Sequence, residues 1–201
     1  MGFDKLASPL AGLPVLRHSL KAFLAAESIS EVVVVCPPER WELLGGNFSK
    51  PVRRVDGGEN RQDSVAAGLA EISTDLVAVH DGARPLVSAE DIDACVAAAA
   101  AHRAAALGRR VTETLKRSDA ADFSAEAVSR EQLWFMETPQ VCETALLRQA
   151  CAAVAAKGLA VTDEVSALEA IGVRIKLVES RWPNLKITTP ADLALAEAIL
   201  R

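Results

Sequence analysis

The stretch Leu76-Val-Ala-Val-His-Asp-Gly-Ala-Arg-Pro85 constrains this chain more than any other. Leu76 to His80 is apolar or nearly so and carries two valines, the pattern of a strand buried on both faces in a parallel sheet covered by helices. The chemistry then changes at once to Asp81, Gly82 and Arg84. In open α/β sheets, ligands bind outside the carboxyl ends of strands, where strand order reverses. A carboxylate and a guanidinium with a glycine between them, which permits close backbone approach, fit such a crevice. The acid suits a metal or sugar hydroxyls and the arginine a phosphate. A turn carrying a surface ion pair is the plainer alternative.

The flanking sequence repeats the strand-then-helix rhythm. Pro14 opens a helix with the apolar stripe Val15, Leu16, Leu20, Phe23 and Leu24. Glu31 to Cys36 reads as a second buried strand, stopped by Pro37-Pro38 and followed by a short helix around Trp41. Val52 to Val55 is a short strand that runs into Asp56-Gly57-Gly58-Glu59-Asn60, and a helix proceeds from Arg61 through Ile72. Ser88 with Asp91 resembles a capping box for a helix to about His102. Further on come a helix over Thr144–Lys157 closed by Gly158, another from Ala160 to near Gly172, and strands at Val173–Val178 and Asn184–Thr188. Thr189-Pro190-Ala-Asp192 starts the last helix with a cap, a first-turn proline and an acid. The expectation is one α/β domain over residues 1–201 with a Rossmann-like, doubly wound, mainly parallel sheet.

The rhythm breaks between Gly108 and Thr138. Arg109 to Arg117 alternates like a strand exposed on one face, Ser118 to Ser124 is polar, and Ala127 to Trp134 can return antiparallel. This predicts a β-arm over about residues 109–131. An isolated two-stranded ribbon is marginal in water, so the arm is expected to pack on a second copy of the chain, an edge hairpin of the main sheet being the alternative.

Composition narrows the chemistry. A net charge of −5 argues against a nucleic-acid partner, and no apolar run approaches the length of a membrane span. The N-terminus shows no basic-then-apolar leader pattern. Cys36, Cys95, Cys142 and Cys151 lack metal-type spacing and read as free thiols of a cytoplasmic protein. There is no nucleophile elbow, zinc-helix motif or Walker loop. His80 reads first as a hydrogen-bonded core histidine. What remains at loops and strand ends is Lys, Arg and a few acids. That inventory suits phosphoryl or nucleotidyl transfer, where the protein positions reactants and stabilises charge on phosphate oxygens.

Six motifs occur in order: Asp56-Gly-Gly-Glu-Asn-Arg-Gln-Asp-Ser64, Val79-His-Asp-Gly-Ala-Arg-Pro85, Glu113-Thr-Leu-Lys-Arg117, Thr138-Pro-Gln140, Thr162-Asp-Glu164 and Asn184-Leu-Lys-Ile-Thr188. Together they resemble the 2-C-methyl-D-erythritol 4-phosphate cytidylyltransferase family of isoprenoid precursor synthesis. The resemblance implies transfer of the cytidylyl group of CTP to methylerythritol phosphate by direct attack, with Mg²⁺ present and pyrophosphate released. It implies CTP contacts from Gly58, Glu59, Arg61, Ser64 and Gly82, and acceptor contacts from Asp81, Arg84, Thr162 and Lys186. Lys5 and Lys186 correspond to catalytic lysines that stabilise the transition state, and Asp81 is the one candidate for a metal contact. Thr114, Arg130 and Thr138 correspond to residues that reach a neighbouring subunit's site in a homodimer. A ribitol 5-phosphate cytidylyltransferase and a non-catalytic nucleotide-binding paralogue are the alternative readings.

The family pattern opens with a strand and a Gly-rich, triphosphate-cradling loop that this sequence does not contain. The expectation is a chain cut from a longer protein, with apolar strand edges bared where a central strand belongs. Phe3-Asp4 before the lysine, Gly82, and the lack of a proline before the arm also depart from the pattern.

Overall fold

The computed structural model describes residues 4–159 and 161–201. Strands β1 (Pro9–Leu10) and β2 (Leu13–Pro14) form a minimal hairpin, closed by Ala11 and Gly12 at φ of 45° and 84°. Helix α1 (Val15–Ala25) follows and buries Val15, Leu20 and Phe23. Strands β3 (Val32–Val35) and β4 (Val52–Val55) pair in parallel around the short helix α2 (Pro38–Glu42). Helix α3 (Arg61–Ala70) starts where the Asn60 side chain accepts the Asp63 amide at 3.0 Å. Strand β5 (Leu76–Val79) then leads to helix α4 (Ala89–His102), capped by Ser88.

The remaining strands are β6 (Ala104–Arg110), β7 (Leu115–Ser118), β8 (Ser124–Val128), β9 (Trp134–Glu143) and β10 (Lys176–Glu179). Helices α5 (Thr144–Lys157), α6 (Glu164–Glu169) and α7 (Pro190–Leu200) complete the order. The central sheet runs β10-β6-β9-β5, with β9 antiparallel to both neighbours and the other three strands in one direction. Consecutive residues point to opposite faces, as pleating requires. Ala104 and Cys142 join Leu147, Ala150 and Leu168 on one face, and Ala105 and Val141 join Phe23, Ile92 and Ala99 on the other. The sheet is thus wound on both sides.

Three local expectations change, and one stretch the sequence leaves unassigned takes shape. Ala104 to Leu107, that stretch, forms a buried strand. An alanine run favours a helix by propensity, but Arg103 at φ 72° ends α4, and the alanine methyls let layers on both faces close in. The stretch from Trp134 continues as the ten-residue β9 through the middle of the sheet, although Pro139 counts against an interior strand. Asn184 to Thr188 is no strand; it is a loop pinned by Ile187 N–H to the Ala83 carbonyl at 2.8 Å. The projecting hairpin is β7 and β8, with Leu115 opposite Val128, because Arg109 and Arg110 pair with β9 at Phe135 and Trp134. The helix start expected at Ala160 lies outside the described residues.

Strand β5 is only half-buried, against the two-sided burial its sequence predicts. One edge pairs with β9, and the other faces β3 across a cavity of about 710 Å³ lined by Leu20, Phe23, Val33, Val35, Leu69 and Val79.

Candidate active site

Asp81 follows the carboxyl end of β5, and two cations converge on it. Lys186 donates to Oδ2 at 2.7 Å and the Arg61 Nε to Oδ1 at 3.3 Å. Arg61 is the first residue of α3, so the Asn60 cap fixes the backbone from which it reaches. Lys186 stands in the loop that Ile187 ties to Ala83, two residues beyond Asp81. The far side of the Arg61 guanidinium forks onto Glu164, Nη1 to Oε1 at 2.7 Å and Nη2 to Oε2 at 2.8 Å. The result is a row of alternating charge: Lys186, Asp81, Arg61, Glu164.

Burial pushes the Asp81 carboxyl up, but the Lys186 hydrogen bond and the charges of Lys186, Arg61 and Arg84 outweigh it and hold the group below its ordinary value. The Glu164 carboxylate drives the Arg61 guanidinium further toward its protonated form. The site residues Lys5, Arg61, Ser64, Asp81, Gly82 and Lys186 all line the large cavity.

His80 anchors the turn from below. Its Nε2 lies 3.2 Å from the Arg84 carbonyl, which can only accept, so Nε2 carries the proton. Nδ1 therefore accepts from the Thr138 hydroxyl at 2.9 Å, and the same hydroxyl oxygen accepts the Asp81 amide at 3.1 Å. Desolvation in its half-buried position pushes the imidazole down to about 4, and it is a neutral scaffold residue at pH 7. Ser19 adds hydrogen bonds to the Gly82 and Arg84 carbonyls at 3.0 and 3.1 Å. Asp81 is thus held by backbone and side chain alike.

Arg84 lies partly beneath the turn. It donates to the carbonyls of Asn184 at 2.6 Å and Met136 at 3.3 Å, while its Nε has no protein partner among the described residues. Thr162 is exposed and lines an adjoining recess of about 270 Å³ together with Arg61, Asp163 and Glu164. Gly58 donates its N–H to the Ser64 Oγ at 3.2 Å, and Glu59 is exposed beside it. A Cβ on Gly58 would stand 2.1 Å from the Asp63 Cβ, and one on Gly57 would stand 2.9 Å from the Ser64 Oγ. Close packing on the start of α3 therefore demands both glycines even before a ligand is considered.

One placement is corrected. Thr138, expected to reach into a neighbouring subunit, sits buried in β9 and serves Asp81 of its own chain. Thr114 and Arg130 do lie on or beside the projecting hairpin, exposed and lining neither cavity; the Arg130 guanidinium donates to the Thr112 carbonyl. Sequence reasoning missed Glu164 as a site residue, reading it as a first-turn acid, and missed Gln140. The Gln140 amide donates to Asp163 at 3.0 Å and its carbonyl accepts the Val165 N–H at 2.9 Å, fixing the start of α6. A pairing with a partner a hundred residues away leaves no local sequence signal.

Among the described residues no cluster of three or more His, Cys, Asp or Glu side chains could cage a metal. Each Asp81 oxygen takes one donor and keeps a lone pair, which fits a hard cation held mainly by substrate phosphates. The cysteines are free, and burial pushes the Cys95 and Cys142 thiols up to about 12.

A sheet wound on both sides, with lysine and arginine gathered on a carboxylate at a strand end, defines a nucleotidyltransferase. The profile of the 2-C-methyl-D-erythritol 4-phosphate cytidylyltransferase (IspD) family matches residues 1–201, and the chain belongs to that family. It is 44% identical over 197 residues to the chloroplastic rice enzyme of that name, covering 96% of this chain and 66% of the rice protein. It is 41% identical over 206 residues to the Caldanaerobacter subterraneus enzyme, covering 98% and 91%. The crystal structure of the Thermus thermophilus enzyme superposes with a TM-score of 0.85 at 36% identity over 98% of this chain and 94% of that one.

Proposed function

We propose that the chain joins CTP and 2-C-methyl-D-erythritol 4-phosphate, giving the diphosphocytidyl product and pyrophosphate. The observation that carries this reading is the convergence of Arg61 and Lys186 on Asp81 at the end of β5, beside a cavity that Lys5 also lines. An acceptor phosphate oxygen attacks the α-phosphorus of CTP, and the bond to the β-phosphate oxygen breaks, pyrophosphate leaving with the electron pair. The side chains make no covalent bond. Lys5 and Lys186 stabilise the negative charge that gathers on the α-phosphoryl oxygens, as fixed cations do at small reorganisation cost.

Gly58, Glu59, Ser64 and Gly82 form the nucleotide side. Asp81, Arg84 and Thr162 form the acceptor side, Asp81 through sugar hydroxyls. Mg²⁺ would travel on the triphosphate with Asp81 beside it, and it supplies charge neutralisation there. The β7–β8 hairpin, with Phe123 72% exposed at its tip, is the surface we assign to a second copy, bringing Thr114 and Arg130 to the neighbouring site. No helix is long and apolar enough to cross a membrane among the described residues, and the buried thiols suit a reducing cytoplasm. The test is pyrophosphate release from CTP with each acceptor in turn: methylerythritol 4-phosphate supports it, and ribitol 5-phosphate does not. Release with ribitol 5-phosphate alone would reassign the acceptor.

A further inference from the structure

Glu164 is 4% exposed, opens α6, and lines the adjoining recess rather than the large cavity. Its two oxygens take both terminal nitrogens of Arg61, whose third donor, Nε, touches the carboxylate that holds Lys186. From this row of contacts we propose that Glu164 is a positioning residue: by occupying the Arg61 fork it keeps Arg61 from capturing Asp81, and so leaves Asp81 to hold the Lys186 ammonium. The inference rests on the proposed cytidylyl transfer for its catalytic meaning, but the positioning itself is a property of the four side chains.

The geometry gives the direction. A guanidinium presents a rigid planar fork that matches a carboxylate bidentately, whereas an ammonium is a point charge. With Glu164 in place, the fork is spent and only Nε remains for Asp81, at a long 3.3 Å, while Lys186 holds the stronger 2.7 Å contact. Without the Glu164 charge, Asp81 is the carboxylate left in contact with the Arg61 guanidinium. Arg61 then turns onto it, and Lys186 loses its partner. Glu164 also stands next to Asp163, which Gln140 and the α6 cap fix in place, and two residues from Thr162 on the acceptor side. The row thus ties acceptor-side backbone to the lysine on the reacting phosphate.

The test combines turnover with a readout that needs none. Lys186 is 40% exposed, so its acetylation by acetic anhydride can be followed by peptide mass, with exposed Lys176 as internal reference. Glu164→Gln keeps the side-chain volume and should speed Lys186 acetylation about threefold or more, and should lower kcat about ten- to a hundredfold with the CTP KM little changed, the scale of a charge-assisted hydrogen bond. Arg61→Gln should do the opposite to acetylation, since Asp81 then serves Lys186 alone. The double variant should follow Arg61→Gln, because Glu164 has nothing left to act through. Acetylation in Glu164→Gln that is unchanged or slower overturns the proposal, as does unchanged kcat where the parent chain turns over. Faster acetylation in a chain that releases no pyrophosphate would uphold the positioning and refute the proposed reaction.

Discussion

Replacing His80 with glutamine should flatten the acid side of the stability profile. In the native state the imidazole is half-buried and desolvated, and its affinity for a proton falls from an ordinary 6.5 to about 4. The unfolded chain therefore binds a proton that the native chain refuses, and stability present above pH 6.5 is lost as pH falls toward 4. Integrating between those two values gives a loss of about 2 kcal/mol from pH 7 to pH 5 and about 3 kcal/mol by pH 4. Asp81 and Asp163, held below 3.8 by their donors, lose stability in the same direction at lower pH, and buried Asp91 is shifted upward; all three are common to parent and variant, so the difference between the two profiles from pH 7 to 5 reports the imidazole. Urea unfolding followed by circular dichroism is the assay; with a slope of about 2 kcal/mol per molar, the midpoint should drop by about 1 M over that interval. His80→Gln will start from a lower midpoint, having lost a fitted side chain, and its pH dependence should be nearly flat there. An equal drop in parent and variant would refute the assignment of a desolvated neutral imidazole.

Other outcomes follow from the same contacts. Lys186→Ala should cut turnover by about three orders of magnitude while leaving the unfolding midpoint within about 1 kcal/mol, as expected for a partly exposed cation acting on the transition state; turnover near normal would remove its role. Arg130→Ala should raise the KM for methylerythritol phosphate about ten- to a hundredfold and that for CTP far less, by loss of one charge-assisted contact across the subunit boundary; an equal rise for both would place the residue elsewhere. The cavity between β3 and β5 should admit an apolar dye in the native state, with anilinonaphthalene sulfonate fluorescence rising at neutral pH without loss of circular dichroism; no rise would show those edges closed.

What could be read from the sequence, and what could not, follows from the range of the interactions. Caps are local, and Asn60, Ser88 and Thr189 start their helices where residue type and spacing indicate. Short strands set off by turn residues are local too, and Val52–Val55 is a strand at the bounds its sequence suggests. Ala104–Leu107 carries no strand signal of its own, because alanine's helix propensity is a backbone preference, which burial between two layers overrides. The loop of Lys186 lacks ladder bonds despite an apolar strand-like sequence, because Asn184 and Ile187 spend their hydrogen bonds on Thr138 and Ala83. Asp81 and Arg84 stand out locally as a carboxylate and a guanidinium around a glycine at a strand end, whereas Lys186 is singled out only by the family resemblance. That Thr138 serves its own chain, and that Glu164 governs Arg61, depends on pairings 57 and 103 residues apart.

The account is tested most directly by ³¹P NMR of the chain with CTP, Mg²⁺ and methylerythritol 4-phosphate. It predicts that the triphosphate signals decay as a diphosphodiester pair and pyrophosphate appear in equal amounts, with no such change when ribitol 5-phosphate replaces the acceptor. CTP that binds while every phosphorus signal persists would contradict it, and the cation cluster around Asp81 would then be a nucleotide-binding site without the transfer.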